Sequence, residues 1–107
     1  MKNRTNKKLI IVNADDFGLD KNYTNAIVDS FKNEYLDSTS IMVNTEDFER
    51  ACVLAIENKF VDKVGLHLNL SEGYPLSDAL KSDPLFCDSL TGQFNRAFQK
   101  KIINRVI

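Results

Sequence analysis

Asp15 and Asp16 stand side by side in the stretch Asn13-Ala14-Asp15-Asp16-Phe17-Gly18, and His67, the only histidine of the chain, lies in Gly65-Leu66-His67-Leu68-Asn69. Two neighbouring carboxylates repel each other, so both ionise comfortably only where a cation or hydrogen-bond donors offset their charge. A divalent metal would do this, and carboxylate with imidazole is a partial ligand set for one. Each feature also has a plainer reading. The Asp pair can be a turn that caps the next helix, and His67 a hydrogen-bonded histidine of a sheet. Asn44 and Asn69 read as strand-end hydrogen bonders.

The elements that must position these groups follow from hydrophobic patterning. Lys8 to Asn13, with its continuous Leu9-Ile10-Ile11-Val12, predicts a strand buried on both faces, ended by the turn Asp15 to Gly18. Asp20 is a candidate N-cap for a helix that stops near Asn33 and carries Tyr23, Ala26, Ile27 and Phe31 on one face. Ser38 to Val43 predicts a second strand. Thr45-Glu46-Asp47 then opens a second helix, whose inner face is Phe48, Ala51, Cys52 and Ala55. Lys63 to Leu70 predicts a third strand by strict alternation, with Val64, Leu66, Leu68 and Leu70 on one face and Gly65, His67 and Asn69 on the other. Ser71 to Gln93 is loop-like, with turn signals at Glu72-Gly73, Tyr74-Pro75, Asp83-Pro84 and Thr91-Gly92. A final helix is expected from near Asn95, with Phe94, Phe98, Ile102 and Val106 on one face.

Strand, helix, strand, helix, strand is the βαβ pattern, so the fold class is α/β with a parallel βαβαβ sheet and right-handed crossovers. Such folds gather ligand-binding loops at the carboxyl ends of the strands. Asn13, Asp15, Asp16, Asn44, His67 and Asn69 all fall there.

Composition sets bounds on partners. The 107 residues are 43% hydrophobic and 27% charged, and 14 Lys and Arg stand against 15 Asp and Glu for a net charge of −1. That is an ordinary globular composition with room for one domain. The basic residues form no patch beyond Lys2, Arg4, Lys7 and Lys8, so no nucleic-acid partner is expected. No apolar run approaches the ~20 residues of a membrane span, and none follows the basic N-terminus as in a signal peptide. The expected location is the cytoplasm. Cys52 and Cys87 have neither disulfide-framework nor metal-ligand spacing and read as plain thiols. Residues 1–107 read as a single incomplete domain, the first part of a longer fold. Its two open sheet edges are expected to drive homo-oligomerisation or to be covered by other contacts.

Several segments carry a family resemblance. Ile11-Val12-Asn13-Ala14-Asp15-Asp16-Phe17-Gly18, Asn25 before Ala26-Ile27, Ser38 to Val43, and Val64-Gly65-Leu66-His67-Leu68-Asn69-Leu70 with Gly73 and Pro75-Leu76 resemble, in this order, the YdjC-like carbohydrate deacetylases. The resemblance implies the first three units of a distorted (β/α) barrel. It also implies a metal-dependent hydrolase that removes acetyl groups from N-acetylated sugars such as chito-oligosaccharides. By resemblance Asp16 and His67 are metal ligands, and Asp15 matches the catalytic base. The family's second ligating histidine lies further downstream than this chain extends, so activity is not expected of these residues alone. The cation favoured by resemblance is magnesium over zinc; ligand type alone does not choose between them.

Two alternatives belong to other classes. A receiver-like signalling module would place an acidic pair at the end of strand one to hold magnesium beside a phospho-accepting Asp at the end of strand three, but that strand ends Leu68-Asn69-Leu70-Ser71. The other is a non-catalytic fragment.

Overall fold

The computed structural model of the chain describes residues 8–95. Three strands, β1 (Asn13–Phe17), β2 (Ser38–Ile41) and β3 (Val64–Leu66), form one sheet in the order β1-β2-β3, and both pairings are parallel. Helix α1 (Lys21–Lys32) joins β1 to β2, and α2 (Phe48–Glu57) followed by a 3-10 turn (Val61–Lys63) joins β2 to β3. The α/β class and the βαβαβ order are therefore as the sequence predicts. The expected final helix lies outside the described residues.

The first strand is displaced from its expected position. β2 begins only at Ser38, which pairs with Asn13, so the residues before Asn13 have no strand beside them. Val12 is tied back to Asp37, its N–H donating to Asp37 Oδ2 (2.8 Å) while its carbonyl accepts from the Asp37 N–H (2.8 Å). Leu9, Ile10 and Ile11 are 78 to 94% exposed rather than buried. The ladder instead runs through the predicted turn, and Asp15 and Asp16 lie inside β1. β2 and β3 are likewise shorter than Ser38–Val43 and Lys63–Leu70.

Helix α1 starts and stops where its caps dictate. Asp20 has extended backbone, and its side chain accepts the Tyr23 N–H at 2.9 Å. Asn33 closes the helix with its N–H on the Asp29 carbonyl, and its side-chain amide donates there too. The buried stripe is Thr24, Ile27 and Val28, with Phe31 half-buried. Tyr23 and Ala26 are exposed, so the inner face is turned by about one residue, or ~100°, from the expected one. Ile27 and Phe31 fit both stripes; Thr24 and Val28 are what complete the one that meets the sheet.

Helix α2 buries Ala51 and Ala55, and Phe48 and Cys52 lie half-buried beside them, as expected. Its start rests on Gly18. That residue has φ +86°, and a Cβ there would meet the Phe48 Cα at 3.3 Å and the Ala51 Cβ at 3.4 Å. The Gly18 carbonyl also accepts from the Thr45 hydroxyl (2.7 Å) and the Asp47 N–H (3.2 Å). Only glycine allows both the left-handed backbone and the close helix.

The core joins Phe17 from β1, Ile27 and Val28, Ala51 and Ala55, and Phe60, which precedes β3. Phe60 stacks on Phe31 (centroids 4.1 Å apart, 14° between planes) and tilts against Phe17 (5.7 Å, 50°). This cluster covers one face of the sheet. By alternation Asn13, Asp15, Ser38, Ser40, Gly65 and His67 take the other.

Beyond β3 the expected loop contains one short helix, α3 (Asp78–Lys81), and an antiparallel bridge of Cys87 with Phe94. No helix among the described residues is long and apolar enough to cross a membrane. Both cysteines are free, as expected; Cys52 is half-buried and Cys87 buried. Burial pushes the Cys87 thiol above its ordinary value, and the Asp83 carboxylate adds to the shift. A raised thiol stays neutral in the folded chain after the unfolded one has ionised, so this contribution to stability is present at neutral pH and lost as pH climbs past the ordinary thiol range. Titration of native protein with an aromatic disulfide reagent is expected to modify Cys52 well before Cys87. Equal rates would show that Cys87 is not shielded.

Candidate active site

The two carboxylates and the histidine come together because β1 is irregular. Ala14 pairs with Thr39 and Phe17 with Ile41, so three steps along β1 match two along β2. This is a β-bulge of one extra residue. At the bulge Asp16 takes φ +67°, a left-handed conformation that Asp tolerates better than most residues with a Cβ. In a regular strand Asp15 and Asp16 would project to opposite faces. Here both approach His67, which β3 delivers just past Leu66 with its N–H on the Ile41 carbonyl (2.9 Å).

The approaches are to different ring nitrogens. Asp16 Oδ1 lies 3.7 Å from His67 Nε2, and Asp15 Oδ1 lies 4.0 Å from Nδ1. Neither distance is a hydrogen bond. Ser40 fills the second gap: its hydroxyl donates to Asp15 Oδ1 at 2.8 Å and lies 3.0 Å from His67 Nδ1. Asp15 Oδ1 also accepts from the Asn13 side-chain amide (3.0 Å), whose oxygen accepts from the Ser38 hydroxyl (2.8 Å). The polar face of the sheet is thus one chain of hydrogen bonds from Ser38 to His67. The Asp15 side chain is 68% exposed, so this face is open to a ligand.

Two donors each about 2.1 Å from one divalent ion stand roughly 3.0 to 3.6 Å apart for angles from 90° to 120°. The 3.7 Å between Asp16 and His67 Nε2 lies just beyond the upper end of that window, a gap that a small side-chain movement closes. These residues therefore fit two ligands of one cation. Among the described residues no group of three His, Cys, Asp or Glu side chains forms a complete set.

Asn44 and Asn69 have the plainer role. The Asn69 amide donates to Asn44 Oδ1 (3.0 Å) and to the Glu72 carbonyl (2.9 Å), and its oxygen accepts the N–H groups of Ser71 and Glu72. Asn44 in turn donates to the Tyr74 carbonyl (2.9 Å). Together they bind the loop that follows β3 to the end of β2. The position at which a receiver module would need its phospho-acceptor is thereby committed to loop structure. Asn69→Ala removes four hydrogen bonds at once and is expected to cost about 1–3 kcal/mol, with the Ser71 and Glu72 amides exchanging faster than the β2 amides. Unchanged exchange at those two amides would show the loop is held otherwise.

Asn13 was among the strand-end polar groups offered by the sequence; Ser40 was not. Ser40 sits in Ser38-Thr39-Ser40, where any hydroxyl could face either side. Its role depends on the parallel register that pairs it with Gly65, two residues before His67.

Comparison with known proteins identifies the family. A family described as YdjC-like protein matches residues 9–106. A carbohydrate deacetylase of Clostridium beijerinckii is 45% identical over 73 residues, which are 68% of this chain and 29% of that protein. Chitooligosaccharide deacetylases of Yersinia pestis and Yersinia pseudotuberculosis are 42% identical over 71 residues, 66% of this chain and 28% of theirs. The chain thus spans less than a third of the length of these curated relatives.

Proposed function

Because the chain belongs to the YdjC-like family, we propose that it provides one wall of a carbohydrate N-deacetylase active site, acting on N-acetylated sugars such as chito-oligosaccharides. The observation that carries this reading is the bulge, which turns Asp15 and Asp16 toward opposite nitrogens of one imidazole. Asp16 and His67 Nε2 hold the divalent cation, magnesium in preference to zinc. When bound, that ion supplies Lewis-acid polarisation of the acetamide carbonyl and a lowered pKa for water.

The chain's own groups divide the remaining work. Asp15 acts as the general base in this reading. Its Oδ1 is anchored by Asn13 and Ser40, while Oδ2 accepts no hydrogen bond among the described residues and is free to take a proton from the attacking water. The same oxygen can return that proton to the departing sugar amine. Asn13 and Ser40 fix the carboxylate in place.

The test is acetate release from N-acetylglucosamine oligomers. With two ligands, the 107-residue chain alone is expected to release little. Substituted for the matching segment of the Clostridium beijerinckii relative, it is expected to support chelator-sensitive release. A folded chimera that stays inactive with added magnesium or zinc would overturn the proposal.

A further inference from the structure

The contacts of Ser40 contain more than a structural tie. A serine hydroxyl carries one hydrogen. Its 2.8 Å contact with Asp15 Oδ1 requires that hydrogen, because an ionised carboxylate only accepts. The same Oδ1 takes the Asn13 amide hydrogen, in keeping with a pure acceptor. The remaining 3.0 Å contact, between Ser40 Oγ and His67 Nδ1, can then be a hydrogen bond only if the ring donates it.

We infer that Ser40 is a positioning residue that holds His67 in the tautomer protonated at Nδ1, leaving Nε2 bare on the side of Asp16. Ser40 passes the influence of Asp15 to the ring across a gap of 4.0 Å that the carboxylate does not bridge directly. A histidine that binds a metal through one nitrogen commonly has its tautomer set by the hydrogen bond at the other. In that role a hydroxyl relay stands where a direct carboxylate is more usual. The value of this for catalysis rests on the deacetylase reading; the tautomer itself does not.

His67 is the only histidine, so its two ring nitrogens give unambiguous long-range proton–nitrogen correlations in the labelled, metal-free 107-residue chain. At alkaline pH, where an imidazole is neutral, Nδ1 is expected to resonate as the protonated nitrogen and Nε2 as the bare one. In Ser40→Ala both signals should move toward the averaged positions of a free imidazole, and Ser40→Thr, which keeps the hydroxyl, should restore them. Zinc titrated alone should bind Ser40→Ala about 10–100-fold more weakly than wild type, and Ser40→Thr nearly as well. A wild-type ring protonated at Nε2, or a folded Ser40→Ala with unshifted ring signals, would overturn the inference. The wild-type spectrum decides the tautomer even if Ser40→Ala does not fold. Because it needs neither metal nor sugar, its outcome is separate from that of the deacetylase assay.

Discussion

Asp15→Asn is expected to lower kcat by about 10²–10⁴-fold with metal affinity nearly unchanged, whereas Asp16→Asn lowers both together. The two substitutions remove the same charge from neighbouring residues, so a difference between them reports geometry. Asp16 faces Nε2, the nitrogen available to a cation, and Asp15 faces Nδ1 through Ser40. An asparagine at position 15 still presents an oxygen to Ser40 and Asn13, so the orientation of His67 survives while the proton acceptor is lost. At position 16 the proposed charged ligand disappears. Losing only an outer hydrogen-bond partner costs about 10–100-fold in metal affinity, and losing a charged ligand costs at least as much. Excess metal should therefore partly rescue Asp16→Asn and leave Asp15→Asn unimproved. Calorimetric metal titration paired with acetate release, both in the chimera, reads the two effects. Metal loss in Asp15→Asn with retention in Asp16→Asn would reverse the assignment.

The largest stability effect is expected at Phe60. It is 3% exposed and touches an aromatic ring from β1 and another from α1. Truncation to alanine removes the stack with Phe31, the tilted contact with Phe17 and the volume that closes the core below β3. Such deletions cost about 3–5 kcal/mol, against a total of about 5–15 kcal/mol for a typical domain. Urea unfolding should show a much lower midpoint at an unchanged slope. Phe60→Leu should lose less than half as much. A loss under about 1 kcal/mol for Phe60→Ala would mean that the three rings do not form the joint between helices and sheet.

Helix α1 was legible in the sequence because its limits are local. Asp20 and Asn33 cap it by bonds to residues three or four positions away, and its period needs no tertiary information. The buried face was less legible, since Tyr23 outranks Thr24 in hydrophobicity while the sheet selects by direction. Types and spacing also pointed to Asp15, Asp16 and His67. Their arrangement was hidden, because nothing local announces a left-handed Asp16, and the apolar run Leu9 to Val12 argues for a strand that starts five residues too early. Ser40 was hidden for a different reason. It is recruited by a register between strands, and register is a property of pairs of segments.

The bulge has a consequence for how this site relates to its scaffold. A chain shortened by Asp16 alone would pair Ala14 with Thr39, Asp15 with Ser40 and Phe17 with Ile41 in unbroken sequence, keeping Phe17 in the core. It would also shed a residue from the left-handed region, where strain costs on the order of 1–3 kcal/mol. Asp16 is thus a supernumerary residue of the sheet: architecture could dispense with it, and the proposed metal site could not. Selection for thermal robustness alone would favour its deletion, so a library of single-residue deletions screened only for folding should recover that variant, soluble and lacking the proposed metal ligand.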